Sequence, residues 1–141
     1  MHWLIFAILS AISFGLYDFF IKLSSEKSSP TIALMIISGI TFLITLIATI
    51  FLKTSGHKLI ISKEGIWWLV TAGVLVTIGD ILYIIMFSKN VPLNLGNPFV
   101  VGGTIITAII FSIIFLKEPL ELTRIFGIIF TLFGLILLTK S

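Results

Sequence analysis

Five long apolar stretches, parted by short charged segments, leave this chain few ways to fold. The hydrocarbon core of a bilayer is about 30 Å thick and takes about 20 residues of helix to cross. The stretches fall at 3–23, 30–52, 66–88, 94–116 and 122–139. The separators hold most of the charge: SSEKSS at 24–29, KTSGHKLIISKEG at 53–65, the residues around Lys89, Asn90 and Pro92, and KEPLE at 117–121. Pro30 suits the first position of a helix, where its missing N–H is no loss. Trp3, Trp67 and Trp68 open the first and third stretches, which start on the same membrane face, as an interfacial aromatic belt would.

Composition closes off the alternatives. Of 141 residues, 58% are hydrophobic and 11% charged, with a mean hydropathy of +1.25, against about 45–50% and about 25% in soluble domains. So few charged side chains cannot clothe a water-soluble globule of this size, and so apolar a chain is no disordered tail. A pI of about 9.4 reflects a net charge of only +3, which excludes a nucleic-acid binder. Cysteine is absent, so there is no disulfide framework, thiol nucleophile, Cys-ligated zinc or iron–sulfur cluster. His2 stands near the start of the chain and His57 in a loop, so neither a metal site nor a cofactor is expected. The first stretch lacks a basic n-region and an A-x-A-like cleavage site and carries Asp18 and Lys22, so it reads as a span rather than a signal peptide. The expectation is a single all-α domain, 1–141: a bundle of five transmembrane helices, multi-pass in the cytoplasmic membrane.

Orientation is weakly specified. One face carries Lys53, Lys58, Lys63, Lys117 and Arg124, the other Lys22, Lys27, Lys89 and Lys140. A fixed topology shows a clear Lys/Arg excess on the cytoplasmic side. Two readings stay open: an N-terminus inside, set by the loop 53–63, or insertion in both directions.

Polar groups inside the spans need a reason, since a charge at mid-membrane costs several kcal/mol. On the first helix Ala11, Gly15, Asp18 and Lys22 line one face, and Asp18 and Lys22 have the i, i+4 spacing of an ion pair. Ser38, Thr41, Thr45 and Thr49 make a hydroxyl stripe on the second, whose hydroxyls are expected to bond their own i−4 carbonyls and let helices pack closely. Gly73, Thr77, Asp80 and Tyr83 share a face of the third. Asn94 and Asn97 open the fourth, one turn apart, followed by Thr104 and Thr107 and interrupted by Pro98 and Gly102–Gly103. Counted from the span centres, Asp18 and Asp80 fall at similar depths, on the side from which the fourth helix enters. The expectation is that Asp18, Asp80, Tyr83, Asn94 and Asn97 line one polar cavity, with Lys22 at its edge. Asp80, nearest the midplane, is the carboxyl whose protonation would follow occupancy. Pro98, Gly102 and Gly103 are the expected hinge. Gly127 and Gly134, on one face of the last helix, suit close packing within the chain or between copies.

The first helix reads FGLYDFFIK, which resembles the aromatic-Gly-x6-Lys signature of the EamA-type domain of the drug/metabolite transporter superfamily at Phe14, Gly15 and Lys22. The run from Asn97 onward resembles that domain's ending: a proline-bearing helix, an LGE-like turn at Leu116, Lys117 and Glu118, and a last helix with Gly127 and Gly134. The similarity spans essentially the whole chain as one five-span repeat, where most members carry two. It implies a secondary carrier, not an enzyme, moving a small metabolite or drug-like solute.

A five-span unit has its termini on opposite faces, so a second unit would enter inverted, as in carriers built from inverted repeats. An antiparallel homodimer, or an inverted five-span partner chain, would supply that half. Gly127 and Gly134 also resemble the dimer-forming Gly-x6-Gly of small multidrug-resistance proteins. Those place a glutamate two turns before the lysine, where Phe14 stands here. GLYD at 15–18 and TIGD at 77–80 are similar to the YD and GxGD motifs of intramembrane aspartyl proteases, but Thr77 replaces the first glycine and PAL is only PLN at 92–94. The remaining alternatives are a non-transporting assembly subunit and, on that motif, such a protease using Asp18 and Asp80.

Overall fold

A computed structural model describes residues 3–119 and 121–139 of the chain; His2 and Lys140, named above, lie outside the described residues. Among these every regular element is a helix: α1 Trp3–Ser25, α2 Pro30–Thr54, α3 Lys63–Ser88, α4 Leu93–Phe111 running on as a π-helical turn at Ser112–Leu116, and α5 Leu122–Thr139. Each of the first three, at 23 to 26 residues, extends more than the ~30 Å of a bilayer core at ~1.5 Å per residue. With its π-helical turn, α4 reaches 24 residues. The ends follow local chemistry. Pro30 takes the first turn of α2. The Ser62 hydroxyl accepts the Gly65 N–H at 3.0 Å, which starts α3 at Lys63, ahead of its apolar run. At the end of α3, Asn90 turns the chain with φ 60°, a conformation asparagine tolerates better than most residues, and Pro92 leads into α4.

The chain forms two compact units. The first joins the residues up to Asp18 to those from Val91 onward; the second is Phe19–Asn90. In the second unit α2 packs on α3. Its buried apolar side chains, Ile21, Ala33, Leu34, Ile84 and Phe87, come from the end of α1, the start of α2 and the end of α3. In the first unit α4 packs on α5, tightly at Gly102, where a Cβ would collide with Leu135. Elsewhere large apolar side chains stand exposed, among them Phe14, Phe42, Trp67, Phe99 and Phe130. In water such a surface is untenable; in lipid it is the outward face of a membrane protein.

Candidate functional site

In the first unit, Asp18 is half-buried on α1 and Asn97 half-buried on α4. The Asn97 Nδ2 donates to Asp18 Oδ2 at 2.7 Å. This is a charge-assisted hydrogen bond across 79 residues of sequence, short as such bonds are. One residue beyond Asn97, Pro98 brings no N–H into α4, so the helical bond that the Asn94 carbonyl would receive cannot form. Asn94 itself is exposed. Gly102 is buried and Gly103 exposed one turn further on; both line an apolar cavity of about 400 Å³ between α4 and α5 with Phe99, Ile106, Leu132 and Leu135.

In the second unit, Lys22 had two carboxylates at helical spacing, Asp18 behind and Glu26 ahead. Its ion pair is with Glu26, Nζ to Oε1 at 3.0 Å. Glu26 is the more exposed partner, so this pair forms where water still reaches it and neither charge is fully stripped of solvent. The same ammonium donates to the Phe87 carbonyl at 3.4 Å, at the C-terminal end of α3 where a cation complements the helix dipole. It also sits 5.9 Å from the centre of the Phe87 ring. Tyr83 packs edge-on to Phe87, centroids 4.8 Å apart. Glu26 and Phe87 escaped the sequence reading. The Lys22–Glu26 spacing was equally visible there, whereas the Phe87 contact had no sequence signal.

Asp80 is half-buried on α3 and lines a groove of about 370 Å³ against α2, with Ser38, Thr41, Thr45 and Thr77. The hydroxyls bond as their spacing implies: Thr41 to the Ile37 carbonyl at 2.9 Å, Thr45 to that of Thr41 at 2.8 Å, Thr49 to that of Thr45 at 2.7 Å and Thr77 to that of Gly73 at 2.8 Å. Three of them also face a carboxylate, a juxtaposition the sequence did not reveal. On α5 a Cβ at Gly127 or Gly134 would meet nothing within 4 Å.

Apolar helices of membrane-spanning length, with carboxylates and amides carried on them, define a multi-pass membrane protein. The model of the EamA-like transporter family matches residues 1–140. The chain belongs to that family and so stands with transporters rather than with enzymes. An uncharacterized protein of Methanocaldococcus jannaschii is 28% identical over 143 residues, covering 98% of this chain and 96% of that one. No solved structure matches the chain.

Proposed function

We propose that the chain is one half of a secondary transporter that moves a small solute across the cytoplasmic membrane, with export as its direction, and that a second copy inserted in the opposite sense completes it. An inverted five-span partner chain would serve equally. The observation that carries this reading is the Asp18–Asn97 hydrogen bond of 2.7 Å, formed between two predominantly apolar helices of a transporter-family chain. A carboxylate so held is costly in a bilayer and marks a solute or ion path more often than a packing contact. The pathway residues are Asp18, Lys22, Asp80, Tyr83, Asn94 and Asn97. Pro98, Gly102 and Gly103 are the hinge of α4: the ladder is already broken at Pro98, so bending there costs no further backbone bond. Gly127 and Gly134 form the contact to the second copy, a reading supported by the open space before them. The near-even spread of Lys and Arg between the two faces supports insertion both ways.

Asp80 carries the coupling proton, released and taken up as solute leaves and enters. The test is the purified chain in liposomes holding a pH-sensitive dye, challenged with a panel of small amines, amino acids and neutral metabolites. Wild type should couple proton movement to at least one solute, and Asp80→Asn should abolish that coupling with assembly unchanged. Equal proton movement in the variant would remove Asp80 from the mechanism; none with any solute in wild type would overturn transport by this chain alone.

A further inference from the structure

We propose that the loop between α2 and α3 is a docking surface for anionic phospholipid, with its lysines on the headgroup phosphates and its apolar centre sunk into the interface beneath them. This requires only that the chain spans a bilayer, whether or not it carries a solute.

The loop is longer than its task demands. Packed helices stand about 8–10 Å apart, and α2 packs on α3. Residues 55–62, between Thr54 and Lys63, can reach more than twice that far when extended. The links at 26–29 and 89–92 join helices with half as many residues. Both ends of the long loop are fixed. Gly56 takes φ 82°; its N–H reaches the Lys53 carbonyl at 3.2 Å, and the His57 N–H reaches that of Leu52 at 3.1 Å. This is the glycine-terminated end that satisfies the last carbonyls of a helix, and Ser62 caps the start of α3. In between, Lys58, Leu59, Ile60 and Ile61 make no hydrogen bond among the described residues. Their peptide groups need water or headgroups, which keeps the backbone at the surface and lets only side chains enter the hydrocarbon.

Those side chains are apolar and ringed by cations. Leu59, Ile60 and Ile61 are all exposed, Ile60 to 89%. Lys53, Lys58 and Lys63 are exposed around them, and none of the three makes an ion pair among the described residues. The one acidic residue of the segment, Glu64, lies in the first turn of α3, where the helix dipole already favours a negative charge. Trp67 and Trp68, both exposed, follow Lys63 by about 6–8 Å of helix rise. A bilayer presents its phosphates and then the interfacial layer that indoles prefer in the same order. A zwitterionic headgroup sets an ammonium beside each phosphate, so the lysines gain little. Free phosphate would answer a lysine and leave the isoleucines in water. A soluble acidic partner would have to displace lipid from a loop set at the ends of two membrane-spanning helices. An anionic lipid meets the whole surface: its phosphate takes the lysines, and the acyl boundary takes Leu59, Ile60 and Ile61, as amphipathic segments settle about 5–10 Å deep.

Trp3→Phe leaves Trp67 and Trp68 as the indoles of the chain. The test places this variant in phosphatidylcholine vesicles doped with brominated lipid, which quenches indole fluorescence by contact. Brominated phosphatidylglycerol should quench at a concentration at least about fivefold below that of brominated phosphatidylcholine, since each lysine at an anionic surface is worth roughly that factor. Both leaflets carry the probe, so either insertion reports. Lys53→Gln, Lys58→Gln and Lys63→Gln together should erase the preference, while the matching Lys→Arg changes should keep it. Salt at about 1 M, where the screening length falls to about 3 Å, should erase it too. A fluorophore on Ile60→Cys should be shielded from the aqueous quencher acrylamide in vesicles rich in phosphatidylglycerol, and open to it once the three lysines are replaced by glutamine. Equal quenching by the two lipids, a preference that survives the triple glutamine change, or its loss to inorganic phosphate would each overturn the assignment. An Ile60→Cys label open to acrylamide in those vesicles would overturn it as well and leave the loop to a soluble acidic partner.

Discussion

At the scale of the residue, a carboxylate among apolar helices is tolerated when a donor is within reach, and Asp18 has the Asn97 amide. Replacing Asn97 with leucine keeps the side chain's size and deletes the donor, leaving a half-buried acceptor unsatisfied. The expected loss is about 1–3 kcal/mol, read as a lower unfolding midpoint in detergent; an unchanged midpoint would mean that water satisfies Asp18 as well as Asn97 does. Much of this chemistry was legible beforehand. Polar residues in apolar stretches are conspicuous, and the back-bonding of Thr41, Thr45 and Thr77 follows from their placement on helices. Partner choice was not legible. Lys22 has a carboxylate one turn away on either side, and spacing does not tell them apart. The outcome rests on Asn97, 79 residues distant, and on the greater exposure of Glu26.

At the scale of the element, α4 departs furthest from a regular helix. Pro98 interrupts its ladder near the start, and at the other end the pitch widens into the π-helical turn Ser112–Leu116. Ser112 closes that turn twice: its carbonyl accepts the Lys117 N–H, and its hydroxyl donates to Glu118. The glutamate of the LGE-like turn thus has a holding role. The glycine of that motif has a conformational one, because Lys117 stands at φ 53°, in the left-handed region that costs an L-residue about 1–2 kcal/mol. Lys117→Gly should leave thermal stability equal or raise it by up to about 1 kcal/mol, the strain relieved being partly offset by glycine's greater freedom when unfolded. A clear loss would show that the lysine side chain itself holds the turn. The proline interruption could be read from sequence; the wide turn could not, since nothing in SIIFL at 112–116 distinguishes it from ordinary helix.

Packing of α4 on α5 gives a second prediction at this scale. A Cβ at Gly102 would strike the Leu135 side chain, and Leu135 borders the apolar cavity, into which it can rotate. Gly102→Ala should therefore cost under about 1.5 kcal/mol, whereas Gly102→Leu should cost about 1–3 kcal/mol or more by overfilling the contact. Unfolding midpoints of the two variants decide it. Equal losses would mean that the cavity does not accommodate Leu135.

At the scale of the whole molecule, the pattern of exposure is that of a membrane protein, with large apolar side chains facing outward. That class was readable from hydropathy because a bilayer admits so few backbone solutions. The family resemblance was readable because FGLYDFFIK and the Pro98-to-Gly134 ending stand in the expected order. The placing of Asp80 in one groove with the α2 hydroxyls was not, because helix neighbours cannot be inferred from one amphipathic face at a time. An odd number of spans with nearly even charge on its two faces leads to the central claim, that this chain completes itself with an inverted copy.

The direct measurement is the orientation of the loop between α2 and α3. The chain has no cysteine, so His57→Cys provides a single thiol in that loop for an impermeant maleimide, applied first to intact and then to opened cells. The account predicts that about half of the molecules react from outside, the remainder only after opening, as two opposed insertions require. Labelling confined to one side would contradict the antiparallel homodimer, and the missing half would then have to be a different, inverted chain.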